Sequence, residues 1–133
     1  MCAAGVAVIL ALLASGCGFN VRSADVFLIT RTGQGTRLTV LVNDGGTVSC
    51  NGAKPKPISD PDLITARDLA QNLAGDAQRN LRLGSGPGTI FTYRVSVQQG
   101  TVVFGDHDTA HHPILAQTEL FTAQLAQRAC NLN

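Results

Sequence analysis

Alternating apolar and polar positions mark a folded body that begins near residue 25. In 37–42 every second residue is apolar, and in 90–97 the apolar and polar side chains again occupy opposite faces. This alternation is typical of strands that bury one face. Turns that contain glycine separate the runs and predict hairpins. The pattern predicts strands at 26–31, 37–42, 47–50, 90–97 and 101–104.

Apolar residues at helical spacing predict two helices. The first is expected from about Asp60 to Leu83, with Gly84 as its C-cap. Pro113 opens the second, which carries Cys130 near its end. Together the elements predict a two-layer α+β sandwich in the order β-β-β-α-β-β-α. We expect a five-stranded antiparallel sheet with both helices packed on one face.

The first 21 residues differ from the rest because none of them carries a charged side chain. Residues 6–13 are an unbroken apolar run, and the small residues 14–16 follow it. This is the hydrophobic core and cleavage region of a secretory signal. The run is short for a membrane span, which needs roughly 20 apolar residues. We therefore expect residues 1–16 to be a signal peptide.

The stretch LASGC at 13–17 resembles the lipobox of bacterial lipoproteins. The resemblance implies that the Cys17 thiol receives a diacylglycerol and that cleavage makes Cys17 the mature N-terminus. It implies lipid anchoring at the extracytoplasmic face of the cell membrane, with a tether at 17–24 and a single domain at 25–133. The first five residues lack the Lys or Arg usual in such signals, which leaves open an upstream start. An uncleaved signal anchor and plain secretion are the alternatives.

Counting the cysteines extends this interpretation. Cys2 would leave with the signal and Cys17 would carry the lipid, so Cys50 and Cys130 remain as a pair in an oxidising compartment. We predict a disulfide between them, with two free buried thiols as the alternative. A zinc site at this pair is not expected because neither cysteine has a CxxC partner.

Composition excludes several classes of protein. The chain has 133 residues, a formal net charge of +1, one Tyr, five Phe and no Trp. That length suits one domain. The low charge and few aromatic residues argue against a nucleic-acid binder that relies on a basic field and stacked bases. We expect no nucleic acid among the partners.

One cluster of side chains is able to bind metals. It lies in the connection before the second helix, where imidazoles and carboxylates are ligands suited to Zn, Cu or Ni. The spacing matches no HExxH motif. The alternative is a solvated connection in which His112 or Asp108 caps the following helix. The five candidate ligands are Asp106, His107, Asp108, His111 and His112.

The residues give little support to catalysis. No serine stands in a GxSxG motif, and the one glutamate, Glu119, has no evident acid partner. His107 with a neighbouring aspartate is the remaining candidate base. We therefore expect neither an enzyme nor a bound cofactor.

The segment 51–57 predicts an exposed basic loop, because its two prolines exclude a central strand. Lys54 and Lys56 are candidate contacts to anionic lipid or wall polymer, with a merely solubilising loop as the alternative. Some small secreted bacterial protease inhibitors are similar in using an antiparallel sheet, two helices and a disulfide-braced exposed loop, which here would be 51–57. Each lysine is followed by proline, however, which blocks most trypsin-like enzymes.

The combined expectation is a small cell-envelope lipoprotein with a non-catalytic binding or structural role. Its partners are expected to be the membrane, through the lipid anchor, and an unidentified protein or small molecule of the envelope. A protease-inhibitor-like module and a metal-binding lipoprotein are the alternatives. In cysteine placement and order of elements the body resembles uncharacterised small secreted or lipid-anchored proteins of high-GC Gram-positive bacteria, which implies no activity.

Overall fold

The computed structural model describes residues 24–84 and 86–132. The elements in chain order are β1 (Asp25–Gly33), β2 (Thr36–Asn43), β3 (Thr47–Cys50), β4 (Lys56–Pro57), α1 (Asp60–Gln78), β5 (Thr92–Val97), β6 (Gly100–Gly105), a 3-10 helix (Asp106–His111) and α2 (Pro113–Ala129). The predicted signal peptide at 1–16, the candidate lipidation site Cys17 and all but the last residue of the predicted tether lie outside the described residues.

The strands form one antiparallel sheet in the order β4-β3-β2-β1-β5-β6. The predicted α+β class is confirmed, but the predicted count of five strands is wrong because β4 adds a sixth. In β4, Lys56 pairs with Val48 and Pro57 pairs with Thr47. Proline cannot donate to a ladder, so a strand of this kind is restricted to the edge of a sheet. The loop predicted at 51–57 therefore ends in a two-residue edge strand.

One face of the sheet is buried. Alternate strand residues and the inner residues of both helices form a single hydrophobic core, so α1 and α2 lie on the same face. Phe27 on β1 and Phe121 on α2 meet edge to face, with ring centroids 6.1 Å apart. Each such buried side chain stabilises the fold by about 1.5–3 kcal/mol. The largest fully buried side chains include Phe27, Ile29, Leu73, Phe104, Leu115 and Leu125.

Helix α1 begins at a side-chain cap and lies close to the sheet. The hydroxyl of Ser59 accepts a hydrogen bond from the Asp62 amide at 3.2 Å, which satisfies one of the free donors at the helix start. Ala77 is fully buried and allows close approach. At the β5–β6 turn, a Cβ on Gly100 would lie 2.2 Å from the Ala77 carbonyl oxygen, so only glycine fits there.

Helix α1 ends at Gln78, five residues before the predicted end at Leu83. Asn80 adopts a left-handed conformation with φ 50°, which stops the helix. Beyond it, the Val103 amide donates to the Leu81 carbonyl and the Leu83 amide donates to the Val103 carbonyl, each at 2.9 Å. Leu81 and Leu83 therefore continue the core from an extended segment beside β6. The predicted C-cap at Gly84 is wrong for the same reason.

The predicted partners Cys50 and Cys130 are joined in the structure. Their sulfur atoms are 1.99 Å apart and their Cα atoms 5.7 Å apart. Helix α2 begins at Pro113, as predicted, and Cys130 forms its C-cap. The disulfide thus links the end of β3 to the end of α2 across 80 residues of sequence. No helix in the described part of the chain is long and apolar enough to cross a membrane.

Replacing both Cys50 and Cys130 with serine is expected to lower the free energy of unfolding by about 4 to 5 kcal/mol, because the unfolded chain loses the closure of a long loop. Urea denaturation of the wild type with and without reductant measures the effect. The double serine variant is the control, since reductant should leave its unfolding midpoint unchanged. Equal wild-type midpoints in both conditions would contradict the prediction.

Candidate functional site

The carboxylates of the predicted metal cluster contact the backbone. Asp106 begins the 3-10 helix and accepts hydrogen bonds from the amides of Ile90 at 3.0 Å and Phe91 at 3.3 Å. Asp108 accepts from the amide of Gly105 at 2.7 Å. These bonds satisfy donors that the end of β6 and the approach to β5 leave unpaired. The two carboxylates therefore hold the connection to the sheet.

The three imidazoles of the cluster are solvent-exposed. Within 24–84 and 86–132, no three His, Cys, Asp or Glu side chains are grouped so as to hold a metal ion. The capping of α2 by His112 or Asp108, the alternative to a metal site, is not seen either. His112 occupies the N-cap position without a side-chain bond, and Asp108 binds Gly105 rather than the first turn of α2. The local need for backbone hydrogen-bond partners therefore determines where the Asp106 and Asp108 carboxylates lie.

Two alanine variants separate a structural role from metal binding. Asp106→Ala is expected to lower the free energy of unfolding by about 1–2 kcal/mol, because it leaves amides without a charged acceptor. His107→Ala is expected to change it by less than about 0.5 kcal/mol, as for other exposed side chains. Urea denaturation measures both values. Zinc binding tighter than millimolar in calorimetry, lost in His107→Ala, would instead support the metal site.

A second polar cluster lies where β5 meets α2. Tyr93 is buried and stacks on Phe104, with ring centroids 5.0 Å apart. Burial raises the pKa of Tyr93 to about 12, the charge of Glu119 adds to this rise, and Arg31 opposes it. The Arg31 guanidinium also lies 4.8 Å from the centre of the Phe91 ring. The phenol is therefore held neutral by its surroundings.

The pKa of Glu119 is also raised. Its partial burial is the main cause, the charge of Asp106 adds to it, and a hydrogen bond with Thr109 opposes it. These groups come from β1, β5, α2 and the 3-10 helix. The groups contact one another where these elements pack together, so we interpret the cluster as a structural junction between elements.

Tyr93 is the only tyrosine of the chain, so its ionisation can be followed directly. Phenolate absorbance is expected to titrate with a midpoint near pH 12 in the folded protein and near pH 10 in denaturant. Since the folded pKa is the higher one, the stabilisation is complete below pH 10 and is lost as the pH rises towards 12. Tyr93→Phe should remove this loss. A folded midpoint near 10 would contradict the assignment.

One surface that no sequence motif indicates is the sheet face opposite the helices, which we call the open face. In its register Thr30 of β1 stands between Thr39 of β2 and Arg94 of β5, and Thr32 stands between Arg37 and Thr92. Each of these two rows therefore holds two adjacent hydroxyls and one guanidinium group across three strands. Arg94 in turn pairs with Val103 of β6, which forms a bridge with Arg82. The open face is formed by Leu28, Thr30, Thr32, Arg37, Thr39, Leu41, Thr92, Arg94, Ser96 and Val103, with Arg82 beside it.

Two shallow depressions run over the open face. One of about 650 Å³ reaches from Leu28 and Ser96 to Asn51 at the start of the 51–57 loop. The other, of about 440 Å³, extends to Arg82. Both are lined by Thr30, Arg37 and Arg94. They form one continuous surface.

The charge on the open face is not neutralised locally. Arg67 and Arg128 on the helices pair with Asp44 and Asp62, and Arg79 at the C-cap of α1 pairs with Asp76. By contrast, the exposed side chains of Arg37, Arg82 and Arg94 form no ion pair with any other described residue. Asp25, at the first position of β1, is the one acidic residue in the six strands of the described chain. This lack of acids at strand positions is the sequence signal that could have revealed the surface.

The 51–57 loop borders this surface. The Asn51 side-chain oxygen accepts a hydrogen bond from the Thr39 backbone amide at 2.8 Å. The Asn51 backbone amide donates to the Thr39 carbonyl, also at 2.8 Å. Lys54 and Lys56 are exposed, the latter within β4. Their contact with an anionic surface stays a prediction, as does the protease-inhibitor role of the loop.

Comparison with protein-family models, with curated proteins and with solved structures gave no match for this chain. The residues and contacts described above therefore carry the functional proposal.

Proposed function

We propose that the chain is a lipid-anchored, non-catalytic binding module of the cell envelope. Cys17 holds it at the extracytoplasmic face of the membrane, and the open face contacts its partner. The observation that carries the binding role is the set of exposed, unneutralised guanidinium groups of Arg37, Arg82 and Arg94 beside rows of threonine hydroxyls. Guanidinium groups and hydroxyls that have no acidic neighbour are a recognition surface for anionic oxygen groups.

The disulfide supports the location. Disulfides persist in oxidising compartments outside the cytoplasm and are rare inside it. The Cys50–Cys130 bond closes most of the body into one loop, so the fold draws on a bond of the kind that persists in oxidising compartments. This agrees with the signal peptide and lipobox expected at 1–17.

The start of the body suits a short tether. The Asp44 amide donates to the Ala24 carbonyl at 2.8 Å, which fixes the chain at the end of the sheet where β1 begins. Residues 17–24 can reach at most about 25 Å from that point. A lipid on Cys17 would therefore keep this end of the sheet nearest the membrane. Lys54 and Lys56 would add positive charge at the β4 edge.

Cys17→Ser tests the anchor. In the native host, the wild type is expected in the membrane fraction, with a mature mass that includes acyl chains on Cys17, because two chains hold a protein firmly at a bilayer. The variant is expected to lose the acyl mass and leave the membrane fraction. Fractionation and mass spectrometry of the extracted protein measure both.

Cys2→Ser is the matched control, since it changes another cysteine of the N-terminal segment and should leave the mature mass unchanged. A wild-type protein that begins at Met1 or Phe19, without acyl mass, would contradict the lipoprotein proposal.

A further inference from the structure

The chemistry of the open face identifies a class of ligand. We propose that it binds an extended polymer of polyol or sugar phosphates. This polymer carries no nucleobases, and its phosphates are not the lipid headgroups of the anchoring membrane. This inference rests on the proposed function, because it names the partner of the same surface.

The width of the basic surface favours a polymer over a single small anion. Arg37 lies on β2, Arg94 on β5 and Arg82 beyond β6. Between them lie β1 and β6, so the three positions span four strand spacings, roughly 19 Å. A single phosphate meets only part of this width. A chain that lies across the strands meets all three guanidinium groups in turn.

The donor types favour phosphate over carboxylate. A carboxylate has two coplanar oxygens, whose spacing matches a single guanidinium fork. A phosphodiester presents oxygens around a tetrahedral centre, so a guanidinium and a hydroxyl from neighbouring strands can donate to it together. The threonine hydroxyls beside Arg37 and Arg94 supply such donors and also accept from polyol hydroxyls.

The face lacks what a nucleic-acid ligand would need. Sequence-tolerant binding of single strands relies on aromatic side chains on which bases stack. In the described strands the aromatic side chains are Phe27, Tyr93 and Phe104, and all three are buried in the core. The open face therefore offers charge and hydroxyls without a stacking surface.

The position of the arginines argues against the anchoring membrane as the phosphate source. Arg94 and Arg37 pair with Thr30 and Thr32, five and seven residues along β1 from Asp25. At about 3.3 Å per residue they stand roughly 17–23 Å from the end of the sheet where the tether begins. With the tethered end of the sheet facing the membrane, as proposed above, the arginines stand that much farther from the headgroups than the start of β1.

The test measures binding of poly(glycerol phosphate) to the full-length protein in nonionic detergent, by fluorescence anisotropy of the labelled polymer. Arg37→Gln with Arg94→Gln is expected to weaken binding about tenfold or more, equivalent to about 1.4 kcal/mol. The matched control, Arg67→Gln with Arg79→Gln, removes the same charge from α1 and its C-cap and should change binding less than twofold. Binding should weaken as salt is raised.

Each single variant, Arg37→Gln or Arg94→Gln, is expected to weaken binding by a smaller factor. Unchanged thermal unfolding of the double variant shows that the loss is local, since both side chains are exposed. Should the double variant unfold, the single variants supply the comparison.

Other outcomes overturn the inference in distinguishable ways. If the protein binds polyglutamate more tightly than poly(glycerol phosphate), and Arg37→Gln with Arg94→Gln abolishes this binding, the open face remains the binding surface but the ligand is a carboxylate. Equal loss in the α1 control would point to general charge attraction and would remove the open face from the proposed function as well. Tighter binding to phosphatidylglycerol vesicles would identify lipid headgroups as the source. No binding to any probe would reject the phosphate polymer, while the Cys17 experiment still decides the anchor.

Discussion

The central position of β1 is the constraint on which the rest of the structure depends. It pairs with β2 on one side and with β5 on the other, although β5 lies some sixty residues later in the chain. Because side chains alternate across a strand, this double pairing fixes Phe27 and Ile29 in the core and Thr30 and Thr32 on the open face. A slip of one residue would exchange the two sets and bury hydroxyls. The core and the binding surface are thus set by the same register.

Much of this fold could be predicted from periodicity, and the exceptions have physical causes. The five longer strands are found from alternation or from short apolar runs that end at glycine turns. β4 does not, because two residues cannot show a period and Pro57 argues against a strand. Gly84 suggests a later end for α1 than the structure has, because Asn80 turns the chain and β6 supplies the hydrogen bonds of Leu81 and Leu83. Local propensity cannot reveal a hydrogen-bond partner that lies twenty residues later in the chain.

The candidate sites were harder to predict than the fold. The disulfide followed from counting, because two cysteines had other assignments and two remained. At 106–112 the residue types suggested ligands, but Asp106 and Asp108 are acceptors for backbone amides that would otherwise be unsatisfied. The open face had no motif at all. Arg37 and Arg94 are ordinary outward residues until the strand register brings them together with the threonines.

The disulfide also determines what a protease could release. Exposed residues lie at 51–57 and 87–88, and also at 34–37 around the β1–β2 turn. The first two stretches fall inside the loop that Cys50 and Cys130 close, whereas the β1–β2 turn lies outside it. A single cut at 51–57 or 87–88 leaves both pieces covalently attached, and β1 and β2 remain continuous with whatever precedes residue 24. A molecule nicked there would stay whole on its tether until reduction, whereas a cut in the β1–β2 turn would not be held by the disulfide.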